Sequence, residues 1–211
     1  MDQDLASIQE ARDTVLRAYD AWKVWSHASQ ADVDRVCAAM AEAGSQAAER
    51  LGRLAQEETG YGVAAHKKLK NEFGSRMVWQ SIRDLKTVGV IRQDPDRRIY
   101  EIGWPMGVVV GLVPSTNPTS TAMFKALIAV KSRNAIIFSP HPAAKRCIFE
   151  AVQCMALAAE NAGAPKGLIN CLQQVSLAGT QEVMPHRNTA LILATGGSAM
   201  VKAAHSTGKP A

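Results

Sequence analysis

From residue 106 onward, short unbroken runs of apolar, β-forming residues alternate with stretches of helical length. The runs are MGVVVGLVP (106–114), AIIFS (135–139), GLINCLQQ (167–174) and NTALILAT (188–195). A strand that is apolar along its whole length is covered on both faces, unlike an alternating strand with one wet face. Between the runs lie segments that read as helices over 120–132, 143–162, 176–186 and 198–207. Strands joined by helices make right-handed βαβ crossovers and a parallel sheet. The expected fold is α/β: a Rossmann-like open parallel sheet with helices on both faces, covering residues 105–211.

The chain upstream reads differently. Apolar residues at helical spacing predict a helix over 5–27. Ser29 followed by Asp32 is a capping-box pattern opening a second helix. Its stripe, Val33, Val36, Met40, Ala43, Ala47, Leu51 and Leu54, predicts one continuous element to the glycines of ETGYG. A third helix is expected over 62–84, weakened by Gly74. Residues 1–85 therefore form a helical segment. TVGVIRQ and RRIYEIGW, joined by DPD, then predict a β-hairpin over 86–104. Trp22 and Trp25 are assigned to packing, with a docking role for residues 1–20 as the lesser alternative.

Composition excludes several classes. A net charge of +5, spread over short basic runs such as HKKLK, reads as solvated surface. So mild and dispersed a charge makes nucleic acid no expected partner, and membrane is none either, because no apolar run reaches the roughly 20 residues of a membrane helix. The acidic, polar N-terminus MDQDLASIQEARD is no secretory signal, so a cytoplasmic protein with reduced thiols is expected. The four cysteines, Cys37, Cys147, Cys154 and Cys171, have neither C-x-x-C nor metal-ligand spacing. Each sits among small apolar residues and is read as a buried hydrophobe. No metal site is expected.

Three strand ends carry the residues that a core does not need, and ligands in open α/β sheets bind beyond such ends. The first is Pro114, Ser115, Thr116 and Asn117, where the Asn117 amide offers two N–H donors. Turn and helix-cap formation is the alternative for this segment. The second is Ser139, Pro140, His141 and Pro142, an extended shelf suited to a ribose or adenine; His141 as a plain surface residue is the alternative. The third is Thr195, Gly196 and Gly197, followed by a helix carrying Met200. Bare backbone at a helix N-terminus suits a pyrophosphate, and a tight strand–helix turn is the alternative. The G-x-G-x-x-G fingerprint is absent.

The segments GLVPSTNPTSTAMFKALIAVKSRNAIIFSPHPAAK, AGAPKGLI and LILATGGSAMVKAAHSTGKPA resemble the coenzyme A-acylating aldehyde dehydrogenases, in order from about residue 85 to 211. The resemblance implies oxidation of a small aldehyde with NAD, NADP being the alternative, and coenzyme A as co-substrate. It implies a catalytic oxyanion-hole role for Asn117. It places Ser139, His141 and Pro142 near the adenosine, and Thr195, Gly196 and Gly197 near the pyrophosphate, with Pro114, Ser115, Thr116 and Met200 completing the cofactor site. The EIGWP region resembles an arm that pairs subunits, which implies a homodimer or larger homo-oligomer. The family's nucleophilic cysteine lies downstream of TGKPA, so the chain reads as an N-terminal portion, cut short and inactive alone. A microcompartment lumen is the alternative location. A non-acylating semialdehyde dehydrogenase of the same superfamily and a naturally short nucleotide-binding module are the alternative functions.

Overall fold

The computed structural model describes residues 3–211. The helical segment consists of α1 (Gln3–Trp25), α2 (Gln30–Gln46), α3 (Ala48–Thr59), α4 (Ala64–Glu72), a π-helical turn (Phe73–Met77) and α5 (Val78–Ile82). An antiparallel hairpin, β1 (Gly89–Asp94) and β2 (Ile99–Gly103), follows. The α/β part is β3 (Val108–Val113), α6 (Pro118–Lys131), β4 (Ala135–Pro140), a 3-10 turn (Pro142–Ala144), α7 (Lys145–Asn161), β5 (Ile169–Cys171), α8 (Leu177–Val183), β6 (Thr189–Ala194) and α9 (Ser198–His205).

Three boundaries depart from the sequence expectation. The continuous helix over 30–59 is broken at Ala47, because Gly44-Ser45 is a weak helix-forming pair at which a helix bends, and α3 turns to pack on α4. The helix over 62–84 contains a π-turn, not merely a weak spot. A Cβ on Gly74 would lie 2.7 Å from the carbonyl oxygen of Ser120, so only glycine lets the turn approach α6 this closely. The strand over 167–174 shrinks to three residues. The amides of Gln173 and Gln174 donate to the two carboxylate oxygens of Glu10, each at 2.8 Å, which takes them out of any ladder. At the start of α2 the capping box is present as read, with Ser29 and Asp32 bonding reciprocally.

The four-stranded sheet is parallel throughout, in the order β5-β4-β3-β6. Every residue of β3 and β4 is buried, as unbroken apolar runs require. The helices α6 and α7 cover one face, backed by α2, while α1 and α8 pack on the other side. Successive strands step from β3 to β4 to β5, and the chain then crosses back to lay β6 on the opposite side of β3. The order reverses between β3 and β6, and a crevice opens beyond the carboxyl ends of strands at such a reversal. The carbonyl of Pro210 accepts from the amide of Ile192 at 2.9 Å, so the last residues lie against β6.

The hairpin is tied to this body at its base. Arg133 donates to the carbonyls of Gly103 (2.8 Å) and Ser26 (2.7 Å). Beyond the base, Ile99, Tyr100, Ile102 and Trp104 are exposed, Trp104 to 79%.

Candidate functional site

Because β3, β4 and β6 are parallel, with the one register shift between β3 and β6 at Val108–Val109 near the other end, their carboxyl ends reach one edge together: Val113 lies opposite Pro140, and Leu112 opposite Ala194. The loops that leave these ends enclose a cleft of about 500 Å³. Every strand-end residue singled out in the sequence lines it: Pro114, Ser115, Thr116 and Asn117 from the first, Ser139, His141 and Pro142 from the second, Thr195, Gly196, Gly197 and Met200 from the third. The sequence reading missed the fourth contributor, Val175, Ser176, Leu177 and Thr180 at the start of α8. Ser139 and Thr180 share a hydroxyl–hydroxyl hydrogen bond there.

The loops differ in how their side chains are held. Asn117 occupies the N-cap position of α6, yet its side chain caps nothing, and its backbone sits at φ −133°, ψ 60°. An asparagine at that position ordinarily accepts from the first turn. Here the amide is engaged elsewhere: its Oδ1 accepts from Lys70 Nζ at 2.8 Å. His141 does act as a local cap, its Nδ1 accepting from the amide of Ala143 at 3.1 Å, which leaves Nε2 as its outward polar atom. Gly196 and Gly197 have no positive φ, and a Cβ on Gly197 would meet nothing within 4 Å. The strand–helix turn does not demand glycine there; the missing side chains leave backbone amides open to approach at the start of α9.

One face of α4 and the π-turn holds the Thr116–Ser120 segment, at positions 67, 70, 71 and 74, the i, i+3, i+4, i+7 spacing of a single helix face. Lys67 Nζ donates to the carbonyl of Thr116 at 3.1 Å. Burial pushes the Lys67 ammonium below its usual range. Asn71 Oδ1 accepts from Thr119 Oγ1 at 2.6 Å, and its Nδ2 donates to the carbonyl of Ala48 at 3.0 Å. Beneath the reversal point, Lys125 Nζ donates to the carbonyls of Leu112 (2.8 Å) and Leu193 (2.6 Å), bridging β3 and β6. Lys125 is 2% exposed, and desolvation lowers its pKa to about 8.

None of the four cysteines lines the cleft. Burial pushes the Cys37 thiol up to about 12. It raises Cys147, helped by the neighbouring carboxylate of Glu58, and Cys171, helped by Glu10; Cys154 is raised by burial as well. A nucleophilic cysteine needs the opposite, an electropositive setting that favours thiolate. Lys145 and Arg146, the basic pair that follows the Ser139–Pro142 shelf, line a different surface hollow with Phe149, Leu172 and Gln173. Among the described residues no helix is long and apolar enough to cross a membrane.

Comparison with known proteins sets this cleft in a wider frame. Residues 2–210 match the model of the aldehyde dehydrogenase family. Over 207 residues the chain is 42% identical to the bifunctional aldehyde-alcohol dehydrogenase AdhE of Escherichia coli, a match covering 98% of this chain and 23% of that protein. An acetylating aldehyde dehydrogenase from Geobacillus thermoglucosidasius superposes with a TM-score of 0.98 at 53% identity, covering 100% of this chain and 46% of the other. A propionaldehyde dehydrogenase from Rhodopseudomonas palustris, solved with bound propionyl-CoA, superposes with a TM-score of 0.80 at 28% identity, covering 95% and 44%. The chain thus spans less than half the length of these relatives.

Proposed function

The chain belongs to the aldehyde dehydrogenase family, and from that premise we propose that it forms the nicotinamide-dinucleotide-binding part of a coenzyme A-acylating enzyme. The reaction of the complete protein converts an aldehyde, coenzyme A and NAD to an acyl-coenzyme A and NADH. One observation carries this reading: the three strand ends converge on a single cleft at the sheet's reversal point, with an uncapped asparagine amide on its rim.

The residues divide the work by chemistry. The open amides at Gly196, Gly197 and the start of α9 suit the negative charge of a pyrophosphate. The shelf formed by Ser139, His141 and Pro142, with the apolar side chains of Val175 and Leu177, suits a flat base and its ribose. The cleft lining contains neither Lys nor Arg among the described residues, which favours NAD over a 2′-phosphorylated dinucleotide. NAD bound there supplies the hydride acceptor. Asn117 Nδ2 donates to the aldehyde oxygen as nucleophilic attack at carbon builds negative charge on it. No cysteine of this chain lines the cleft and burial raises all four thiols, which supports the reading that the nucleophile is not among them and that the 211-residue chain alone is inactive. The exposed Ile99, Tyr100, Ile102 and Trp104 of the hairpin suit burial against a second subunit.

Calorimetric titration of NAD into the chain tests the assignment. Binding that is lost on filling the cleft with Gly197→Trp supports it; equal heats in wild type and variant refute it.

A further inference from the structure

The Asn117 amide has two chemically opposite ends, and only one can face an oxygen that is gaining negative charge. Its oxygen is already claimed by the Lys70 ammonium at 2.8 Å. Rotating the amide by half a turn would aim its N–H bonds at that ammonium, donor against donor. Among the described residues no acceptor takes the Nδ2 hydrogens. Asn117 borders both the main cleft and a groove of about 370 Å³ that it shares with Lys70, Phe73, Gly74, Val78 and Phe124. On the same helix face Lys67 holds the main-chain carbonyl of Thr116 and Asn71 holds the Thr119 hydroxyl, so the segment is anchored on either side of Asn117 and its side-chain torsion is what remains to be set.

We propose that Lys70 is a positioning residue: its ammonium selects the amide orientation in which Asn117 Nδ2 faces the site, and by polarising the amide strengthens it as a donor. The proposal rests on the oxyanion role given to Asn117 above. Lys70 touches no reacting atom; it acts only through Asn117. Its side chain is exposed, so substitutions there do not threaten the core.

The ordering of variants separates this role from simple packing. Lys70→Met keeps the aliphatic stem and loses the donor. Lys70→Arg keeps a cationic donor. Lys70→Glu offers an acceptor and draws the amide round the wrong way. In the full-length protein, with aldehyde, coenzyme A and NAD, Lys70→Met is expected to lower kcat about tenfold, short of the 10²–10³ that losing an oxyanion donor costs. KM for NAD is expected to stay within about twofold of wild type, Lys70→Arg to recover most of kcat, and Lys70→Glu to fall below Lys70→Met. In an Asn117→Ala background the three substitutions should give one common rate. An undiminished kcat in Lys70→Met, or the same tenfold loss without Asn117, overturns the proposal.

A second measurement needs no turnover. In ¹⁵N-labelled chain the side-chain amide resonances of Asn117 should move in Lys70→Met while the backbone resonances of β3 and β4 stay in place. Unmoved Asn117 resonances overturn the proposal. If wild type shows no turnover, the acylating reading falls, and the amide spectrum alone decides the pairing of Lys70 with Asn117.

Discussion

Ser139 Oγ and Thr180 Oγ1 lie 2.8 Å apart in the floor of the cleft, joining the end of β4 to α8. Thr180 spends its own hydrogen on the carbonyl of Ser176 at 2.9 Å, so Ser139 is the donor of the pair. The two sides are therefore unequal. Ser139→Ala removes one hydrogen bond and is expected to cost about 1 kcal/mol. Thr180→Val removes two hydrogen bonds and leaves the Ser139 hydroxyl without its acceptor, while the Ser176 carbonyl still accepts from the Thr180 amide at 3.2 Å; it should cost roughly twice that. Urea midpoints of the two variants check the ranking; equal losses would contradict the donor assignment.

Gly74 is where the π-turn meets α6. Its Ala variant places a Cβ 2.7 Å from the backbone oxygen of Ser120, in the first turn of the helix that Asn117 opens. Overpacking of this kind costs about 1–3 kcal/mol. Gly74→Ala should therefore lose stability and perturb the Asn117 resonances together, whereas a neighbouring exposed change such as Lys68→Ala should do neither. Thermal denaturation and amide spectra report the two effects.

The buried Lys125 makes stability depend on pH in a definite direction. In the unfolded chain its ammonium titrates near 10.5, and in the fold near 8, because burial disfavours the charge. Between those values the unfolded chain holds a proton that the folded chain has released. Stability on this account rises with pH through that window and is flat below it, where both states are protonated. The rise is on the order of 3 kcal/mol in full. Chemical denaturation from pH 7 to 10.5, taken as wild type minus Lys125→Met, should show it; a flat difference would refute it.

The thiols predict chemical silence. With Cys37 raised to about 12 and the others also raised by burial, native chain at pH 8 should react slowly with iodoacetamide. Unfolding in urea should release all four to rapid labelling. Native chain mixed with aldehyde, coenzyme A and NAD should form no NADH. Fast native labelling, or steady NADH formation, would show that one of these cysteines is the nucleophile after all.

What the sequence made legible was whatever the chain writes locally. Val108–Val113 and Ala135–Phe138 are continuous apolar runs because both their faces are covered, and the residues that follow them, Pro114–Asn117 and the Ser139–Pro142 shelf, mark the rim. The lysines that hold that rim carry no such mark. Lys67 and Lys70 look like a basic helix surface, and their partners Thr116 and Asn117 stand 49 and 47 residues away. The shortness of β5 was hidden for the same reason, since Glu10, which takes its loop amides, lies 163 residues earlier than Gln173. The break at Ala47 escaped because the apolar stripe continues on both sides of Gly44-Ser45, and a stripe records which face is buried, not whether its axis bends.

The crossing back from β5 to β6 also sets a schedule for the nascent chain. The first rim segment leaves the ribosome with Val113, but the last wall waits for Thr195, roughly 80 residues later, or several seconds at about 5–20 residues per second. Until then β3 has one neighbour and one bare flank, and the cleft beyond the strand ends is not yet closed. A ligand held beyond the strand ends therefore cannot template the early collapse; it could only fasten a sheet whose strands have already found their order.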